Sequence, residues 1–454
     1  MVKKRLYWNW NRYGFRKTQK TIKEYGYEYS GKKHVTFMGI AVTFLLLLCY
    51  LMRIKAAGVC VIALTVILAV PILAGYHYRT LYEEKRFTDA VDYMEYVIYS
   101  FLRMPKIINT LEEVAKVCHG NMQKCIEKAV DRIQYADVYQ DIYSDAFEHI
   151  EKEYGTERMR ALHRFLIQIE QQGGEYIQSL EVLLEDIRQW SEMVYLLQKE
   201  RKELQRKVTL SLLLSVATAI TMVGLLPSEI GDIASNGLYQ VSSVVFLLLS
   251  IVIFVLSRKC LIRSWLTSEP DSEEVKNAYD YCIREENTKK RHYRFMEKKV
   301  KNSIKKDFPM WIRNVILNMQ TENVMVAMGM AAENMSYPLK SELMQTLNGI
   351  EKEPGSMRAY QRFLWKFDLK QIKNVFLMFY SLNEFGTKEA EKQLNAMIQR
   401  NNKLAEQAER LANEEALGIF GIYMLMPMVI AAGKMLLDMW VFVQQFLFFY
   451  SNVV

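Results

Sequence analysis

The chain has 454 residues, of which 51% are hydrophobic and 24% charged, with a formal net charge of +8. That balance is too polar for a bundle lying wholly in a membrane, while several runs are too apolar for a wholly soluble enzyme. Six cysteines do not make a disulfide framework, because Cys49 and Cys60 fall in apolar runs and Cys118, Cys125, Cys260 and Cys282 fall in blocks read below as cytoplasmic and reducing.

Residues 1–33 form a basic, aromatic tail. The first 35 residues hold ten Lys and Arg against Glu24 and Glu28, a local net charge equal to the +8 of the whole chain. "KKRLYWNWNRYGFRK" and "YGYEYSGKK" interleave cations with Trp and Tyr. Nucleic acid can be held by such a mixture, since bases stack on rings and phosphates pair with Arg and Lys. The same mixture marks the cytoplasmic edge of a membrane protein. The apolar runs that follow favour the second reading, and no nucleic-acid partner is expected.

Five segments, 34–52, 56–76, 208–226, 239–257 and 416–433, approach the roughly 20 apolar residues needed to cross a bilayer as a helix. None contains Asp, Glu, Lys or Arg. They predict a hairpin at 34–76, a second hairpin at 208–257, and a final span with an apolar C-terminal segment over 416–454. The stretch "KMLLDMWVFVQQFLFFYSNVV" carries Lys434 and Asp438 and reads as an interfacial helix or an extension of the fifth span. Orientation follows from the flanking cations. "PSEIGDIASNGL" between the third and fourth spans has Glu229 and Asp232 but no Lys or Arg, whereas Arg206, Lys207, Arg258, Lys259 and Arg263 flank the other ends. The tail and the blocks 77–207 and 258–415 are therefore expected in the cytoplasm. Arg53 and Lys55, in the first tight turn, run against this assignment and are read as charges held at the headgroups. The first span starts too far from the N-terminus to be a secretory signal and is expected to be retained.

Both blocks are predicted to be antiparallel helical bundles. Val91, Met94, Val97, Ile98, Phe101 and Leu102 recur at three- and four-residue steps, and Ile177, Leu180, Leu184, Ile187 and Val194 resume the period. Gly155 in "EYGTE" predicts a helix stop, and Pro270, Pro309, Pro338 and Pro354 predict boundaries in the second block. "CHGNMQKC" (118–125) offers three ligand types but lacks the second pair that zinc sites carry, so it reads as a turn between helices. The blocks also resemble each other. Over 109–133 and 326–350, Leu111 falls on Met328, Val114 and Ala115 on Ala331 and Ala332, and Ile133 on Ile350. Further on, "FLIQIEQQGGEYIQSLEVLLEDI" lies over "FLMFYSLNEFGTKEAEKQLNAMI", which brings Gly174 within one place of Gly386. Each copy then runs through a polar helix into a span, the order expected of an internal duplication.

With these motifs the chain resembles the type II secretion system F family and the inner-membrane platform proteins of type IV and tight-adherence (Flp) pili. "MPKIINTLEEVAK" (104–116) follows the family's first turn and aliphatic helix loosely. "IEQQGGEYIQSLEVLLEDI" follows the second closely, with Glu170 and Gly173 in the acidic and glycine places. The second copy departs, with Asn383 in the acidic place, Glu384 beside it and Gly386 kept. The resemblance covers residues 85–450. It implies an all-α integral membrane protein with two repeated cytoplasmic bundles. Such a protein performs no chemistry and holds no cofactor or metal. It couples a cytoplasmic assembly ATPase to extraction of pilin or pseudopilin subunits from the lipid bilayer, as a homo-oligomer.

The residues themselves offer no rival enzyme, since no phosphate loop, "HExxH" or "GxSxG" is present. A transporter would need ionisable groups at membrane depth. The third and fourth spans offer only hydroxyls such as Ser215, Thr218, Thr221, Ser242, Ser243 and Ser250, which serve equally well as small packing residues. The candidate partner-binding residues are Glu170, Gly173, Gly174, Glu384 and Gly386. Gly173 and Gly174 can reverse the chain at positive φ. Glu170, at a helix C-terminus where the macrodipole disfavours a carboxylate, is expected either to meet a cation on a partner or neighbouring helix or to be solvated.

Overall fold

The computed structural model describes residues 15–135, 142–173, 176–225, 233–262, 264–266, 273–285, 291–319, 322–332, 335–353, 355–384 and 387–453. Among them every regular element is helical: α1 (Phe15–Glu24), α2 (Gly31–Leu51), α3 (Ala56–Arg103), α4 (Ile107–Val117), α5 (Asn121–Gln134), α6 (Ile142–Tyr154), α7 (Glu157–Gln172), α8 (Ile177–Leu225), α9 (Gly237–Leu261), α10 (Glu273–Arg284), α11 (Arg291–Asn318), α12 (Val324–Ala332), α13 (Tyr337–Lys352), α14 (Met357–Arg362), α15 (Lys370–Glu384) and α16 (Thr387–Val453), with a short 3₁₀ turn at Ile233–Ser235. Five helices are long and apolar enough to cross a membrane: α2, α3, α8, α9 and α16. At about 1.5 Å per residue, α3, α8 and α16, of 48, 49 and 67 residues, exceed what a bilayer requires.

The chain divides into two compact units. The first holds Met1–Lys85, Leu196–Ser264 and Glu415–Val454, and so contains the apolar windows. Its interior gathers Leu45, Cys49, Ile62, Val66, Val70, Ala219, Phe246, Leu247 and Ala431 from five helices. Ser211 donates to the Met424 carbonyl at 2.7 Å, tying α8 to α16. Ser215, Ser243 and Ser250 donate to carbonyls four residues back in their own helices, which satisfies the hydroxyls and lets neighbours approach closely. The basic 53–55 turn is held by the start of α9. Gln240 accepts from the Lys55 N–H at 2.8 Å and donates to the Arg53 carbonyl, and Lys55 Nζ donates to the Ser235 carbonyl. In the tail, Tyr25 stacks on Tyr82 with ring centroids 4.6 Å apart, and Tyr27 and Tyr29 pack against Tyr78 of α3. These rings have apolar partners within the chain, as interfacial aromatics do.

The second unit, Arg86–Tyr195 and Trp265–Glu414, contains two hydrophobic cores. The first is built by the C-terminal half of α3, by α4–α7 and by the start of α8, with Leu266 added. Val91, Met94, Val97, Ile98 and Phe101 are buried in it as their period requires, whereas Ile177, in the first turn of α8, is exposed. Gly155 separates α6 from α7. A Cβ there would meet the Glu151 carbonyl at 2.2 Å, so only glycine fits, and Thr156 then caps α7 by accepting the Met159 N–H. The second core is aromatic, with Trp311 among Phe308, Phe376 and Phe379. Pro309 does not end a helix. It lies inside α11, where burial of Phe308, Trp311 and Ile312 outweighs the missing hydrogen bond. Pro338 opens α13 as expected, and Pro270 and Pro354 fall outside the described residues.

α16 runs unbroken through the fifth apolar run and the C-terminal segment, so Lys434 and Asp438 stand in the same helix as that run. The two form an i,i+4 ion pair with side chains 2% and 1% exposed, and Lys434 Nζ lies 4.0 Å from the centre of the Tyr239 ring. Pairing and covering of this kind is what lets charges lie within an apolar helix. Replacing either alone strands the other in a buried site, at about 3–5 kcal/mol. Lys434→Met and Asp438→Asn should each lower the thermal midpoint and membrane yield sharply, whereas the double variant Lys434→Met/Asp438→Leu should recover most of both. Equal losses in single and double variants would show that the charges are not a matched pair.

Candidate functional site

The α7–α8 turn is where the sequence places the family-like acid and glycines. α7 ends at Gln172, and Gly173 is its C-cap, donating its N–H to the Ile169 carbonyl at 2.8 Å. Gly173 has φ +70° and ψ −155°, a region essentially closed to residues with a Cβ. No atom would crowd a Cβ there, so the requirement for glycine is conformational rather than steric. Gly174 and Gly386 lie outside the described residues, and Glu384 is the last residue of α15.

Glu170 stands in the last turn of α7, but its carboxylate serves another helix. Oε2 accepts the Ile107 N–H at 2.7 Å, and Oε1 accepts the Tyr143 hydroxyl at 3.0 Å. Ile107 is the first residue of α4, and Lys106 at the N-cap supplies no side-chain cap. Glu170 thus caps α4 from outside, placing negative charge at the positive end of that helix's dipole. The unfavourable end of α7 is the favourable end of α4. Lys106 Nζ lies 3.9 Å away and is largely solvated, while the Glu170 side chain is 9% exposed. Glu170 therefore belongs to an internal junction of α4, α6 and α7. Its hydrogen bond and charge, together with burial, raise the Tyr143 hydroxyl above its usual range, burial being the largest cause.

The structure assembles three further polar clusters. His163 of α7 is buried and stacked on Phe147, with ring centroids 3.9 Å apart. Its Nδ1 is 2.7 Å from Glu151 and its Nε2 is 2.9 Å from the Tyr93 hydroxyl. In the second core Glu342 accepts from the Tyr279 hydroxyl at 3.0 Å and from the Leu364 N–H at 3.1 Å. Burial raises Glu342 despite those donors. Asp186 of α8 accepts from Arg158 Nε at 3.1 Å and from Arg313 Nη2 at 2.5 Å. Burial pulls the Arg313 guanidinium down to about 10, with Asp186 opposing. Two of these clusters left a trace in the sequence. His163 sits among Met159, Leu162 and Leu166, and Asp186 among Leu183, Ile187 and Trp190, so each polar residue interrupts an apolar helical stripe. "CHG" (118–120) forms the turn between α4 and α5, with Gly120 at φ +72°, and the rest of the 118–125 stretch, Cys125 included, lies in α5. Burial, the largest effect, pushes the Cys118 thiol up to about 11, so it stays protonated.

Two outcomes follow from this geometry. Glu170→Gln keeps the size but removes the charge from the α4 terminus and turns one acceptor into a donor. The variant should lose about 1–3 kcal/mol, read as a lower thermal midpoint, whereas Lys106→Met should change stability by less than about 0.5 kcal/mol. A Glu170→Gln protein as stable as wild type would remove the capping role. His163 gives a pH dependence. Burial holds its pKa below the usual 6.5, with Glu151 acting the other way. The unfolded chain therefore takes up a proton near 6.5, before the folded chain does. Stability from this group is full above that pH and falls as the solution is acidified, by at most about 1.4 kcal/mol per pH unit. The drop in thermal midpoint between pH 7.5 and 5.5 should shrink in His163→Gln, and an unchanged drop would assign the acid sensitivity to other groups.

In comparisons with known proteins, no family model, no curated protein and no solved structure matches the chain.

Proposed function

We propose that this chain is a multi-pass platform protein of the cell membrane of a bacterium, belonging to a pilus or type II secretion apparatus. In this role it couples a cytoplasmic assembly ATPase to the movement of pilin-like subunits out of the bilayer. The observation that carries the reading is the continuity of α3, α8 and α16, each of which contains an apolar window and a further length of helix in the bundle unit. A rigid helix of this kind transmits displacement from a soluble bundle into a membrane without a flexible joint. The succession of helices adds support. Around the first core, α4 packs on α5, α5 on α6, α6 on α7 and α4 on α7; around the second, α12 packs on α13, α13 on α14, α14 on α15 and α12 on α15. The parallel fits a duplicated module, with α8 and α16 as the helices that leave each copy. The chain acts mechanically in this reading and leaves hydrolysis to its partner, as a homo-oligomer.

A transporter is the second reading, favoured by the Lys434–Asp438 pair inside the α16 window. The pair neutralises itself within one helical turn, which weakens its case as a carrier of ions.

The test is topological and biochemical. Reporters fused after Glu200 and after Asn395 should read cytoplasmic and one fused after Leu238 external. The purified chain should retain an assembly ATPase encoded beside it. An external block 77–207 would end the platform reading, since no cytoplasmic motor could reach it.

A further inference from the structure

The two cores of the bundle unit are separate. One is built from residues 87–194 with Leu266, the other from residues 278–379 with the partly buried Leu404 packed against it. α7 of the first packs on α11 of the second. At this junction a single carboxylate serves two guanidiniums. Asp186 Oδ2 accepts from Arg158, whose guanidinium also lies 4.7 Å from the centre of the Trp190 ring, and Oδ1 accepts from Arg313. Arg158, Asp186 and Trp190 belong to the first core's helices, and Arg313 comes from the second.

The junction is well formed but not fully satisfied. One buried cation, Arg313, and one partly buried cation, Arg158, share one anion. Arg313 is 6% exposed, and its Nη1 has no hydrogen-bond partner among the described residues, nor does the buried Oδ1 of Asn314 beside it. Opening would return these groups to water, and that gain opposes the loss of the ion pair, so such a contact holds less firmly than an apolar one of equal size. The site is also well placed for leverage. Asp186 lies on α8, about 33 Å along the helix axis from Val208, where the third apolar run begins.

We propose that Asp186 is a releasable clamp: its carboxylate fixes the second core to the root of α8 through Arg313, and its release lets the two cores turn against each other while each stays folded. Arg158 acts as the positioning residue, holding the carboxylate from its own side. The clamp does not depend on what the chain carries, and so stands apart from the platform reading.

Distance measurement between spin labels tests it in the full-length chain. Labels go on Lys128→Cys of α5 and Asn348→Cys of α13, both exposed, in a background with Cys60 and Cys260 replaced by serine. The reference protein and Asp186→Glu should give one narrow distance distribution. Asp186→Asn should give a broad one with unchanged helicity by circular dichroism. A distribution as narrow as the reference in Asp186→Asn would overturn the clamp. If Asp186→Asn fails to accumulate because two guanidiniums are left facing each other, Asp186→Asn/Arg313→Gln should restore the level by about fivefold or more, as coupled neighbours do, and should show the broad distribution. No recovery, or recovery with a narrow distribution, would equally overturn the proposal.

Discussion

Backbone hydrogen bonding inside hydrocarbon is the constraint on which the rest of this molecule depends. Where no water is available, each N–H and C=O of a spanning segment must be satisfied within its own helix, so a span cannot end until it has left the membrane. In this chain α3, α8 and α16, each with a window long and apolar enough to cross a membrane, continue as helix beyond that window, and α3 and α8 contribute buried side chains to the first core of the bundle unit. Proline inside α3 and α16, at Pro71 and Pro427, does not interrupt them.

Against that helical background, the buried charges described above share a feature: each has its complement supplied by a residue elsewhere in its own helix or in another element. Glu170 meets the free end of α4, Glu342 meets the Leu364 N–H and Tyr279, Lys434 meets Asp438 one turn on, and Asp186 meets arginines from α7 and α11. These contacts differ in how completely they are met. The Glu170 junction engages both of its oxygens, whereas the Asp186 junction leaves Arg313 Nη1 unsatisfied. A satisfied junction rigidifies its bundle, and an unsatisfied one marks a place where the packing can give.

The same contrast bears on the platform reading. A protein that carries displacement needs stiff members and defined joints. The long helices are stiff, and the boundary between the two cores is the natural joint, because apolar contacts are concentrated within each core while a shared carboxylate sits at the junction. Gly173 closes α7 with a positive φ that residues bearing a Cβ rarely adopt.

Much of this architecture was legible in the amino-acid order. Apolar runs near the length of a bilayer marked all five candidate spans, and three- and four-residue periodicity placed Val91, Met94, Phe101, Leu180 and Ile187 in a core, because both signals are local and set by helix geometry. Gly155 and Gly173 were readable as helix ends, for glycine carries its backbone freedom wherever it stands. The burial of Lys434 and Asp438 was not readable, because it depends on their pairing and on the Tyr239 ring over Lys434, nearly 200 residues earlier. Nor was the role of Glu170. Its sequence neighbours place it at the wrong end of a dipole, and only the fold brings the start of α4 to it. Sequence determined which segments are helices and which faces they bury. Tertiary structure decided where Glu170, Asp186 and Glu342 find their complements, because pairing acts through space between residues that the chain keeps far apart.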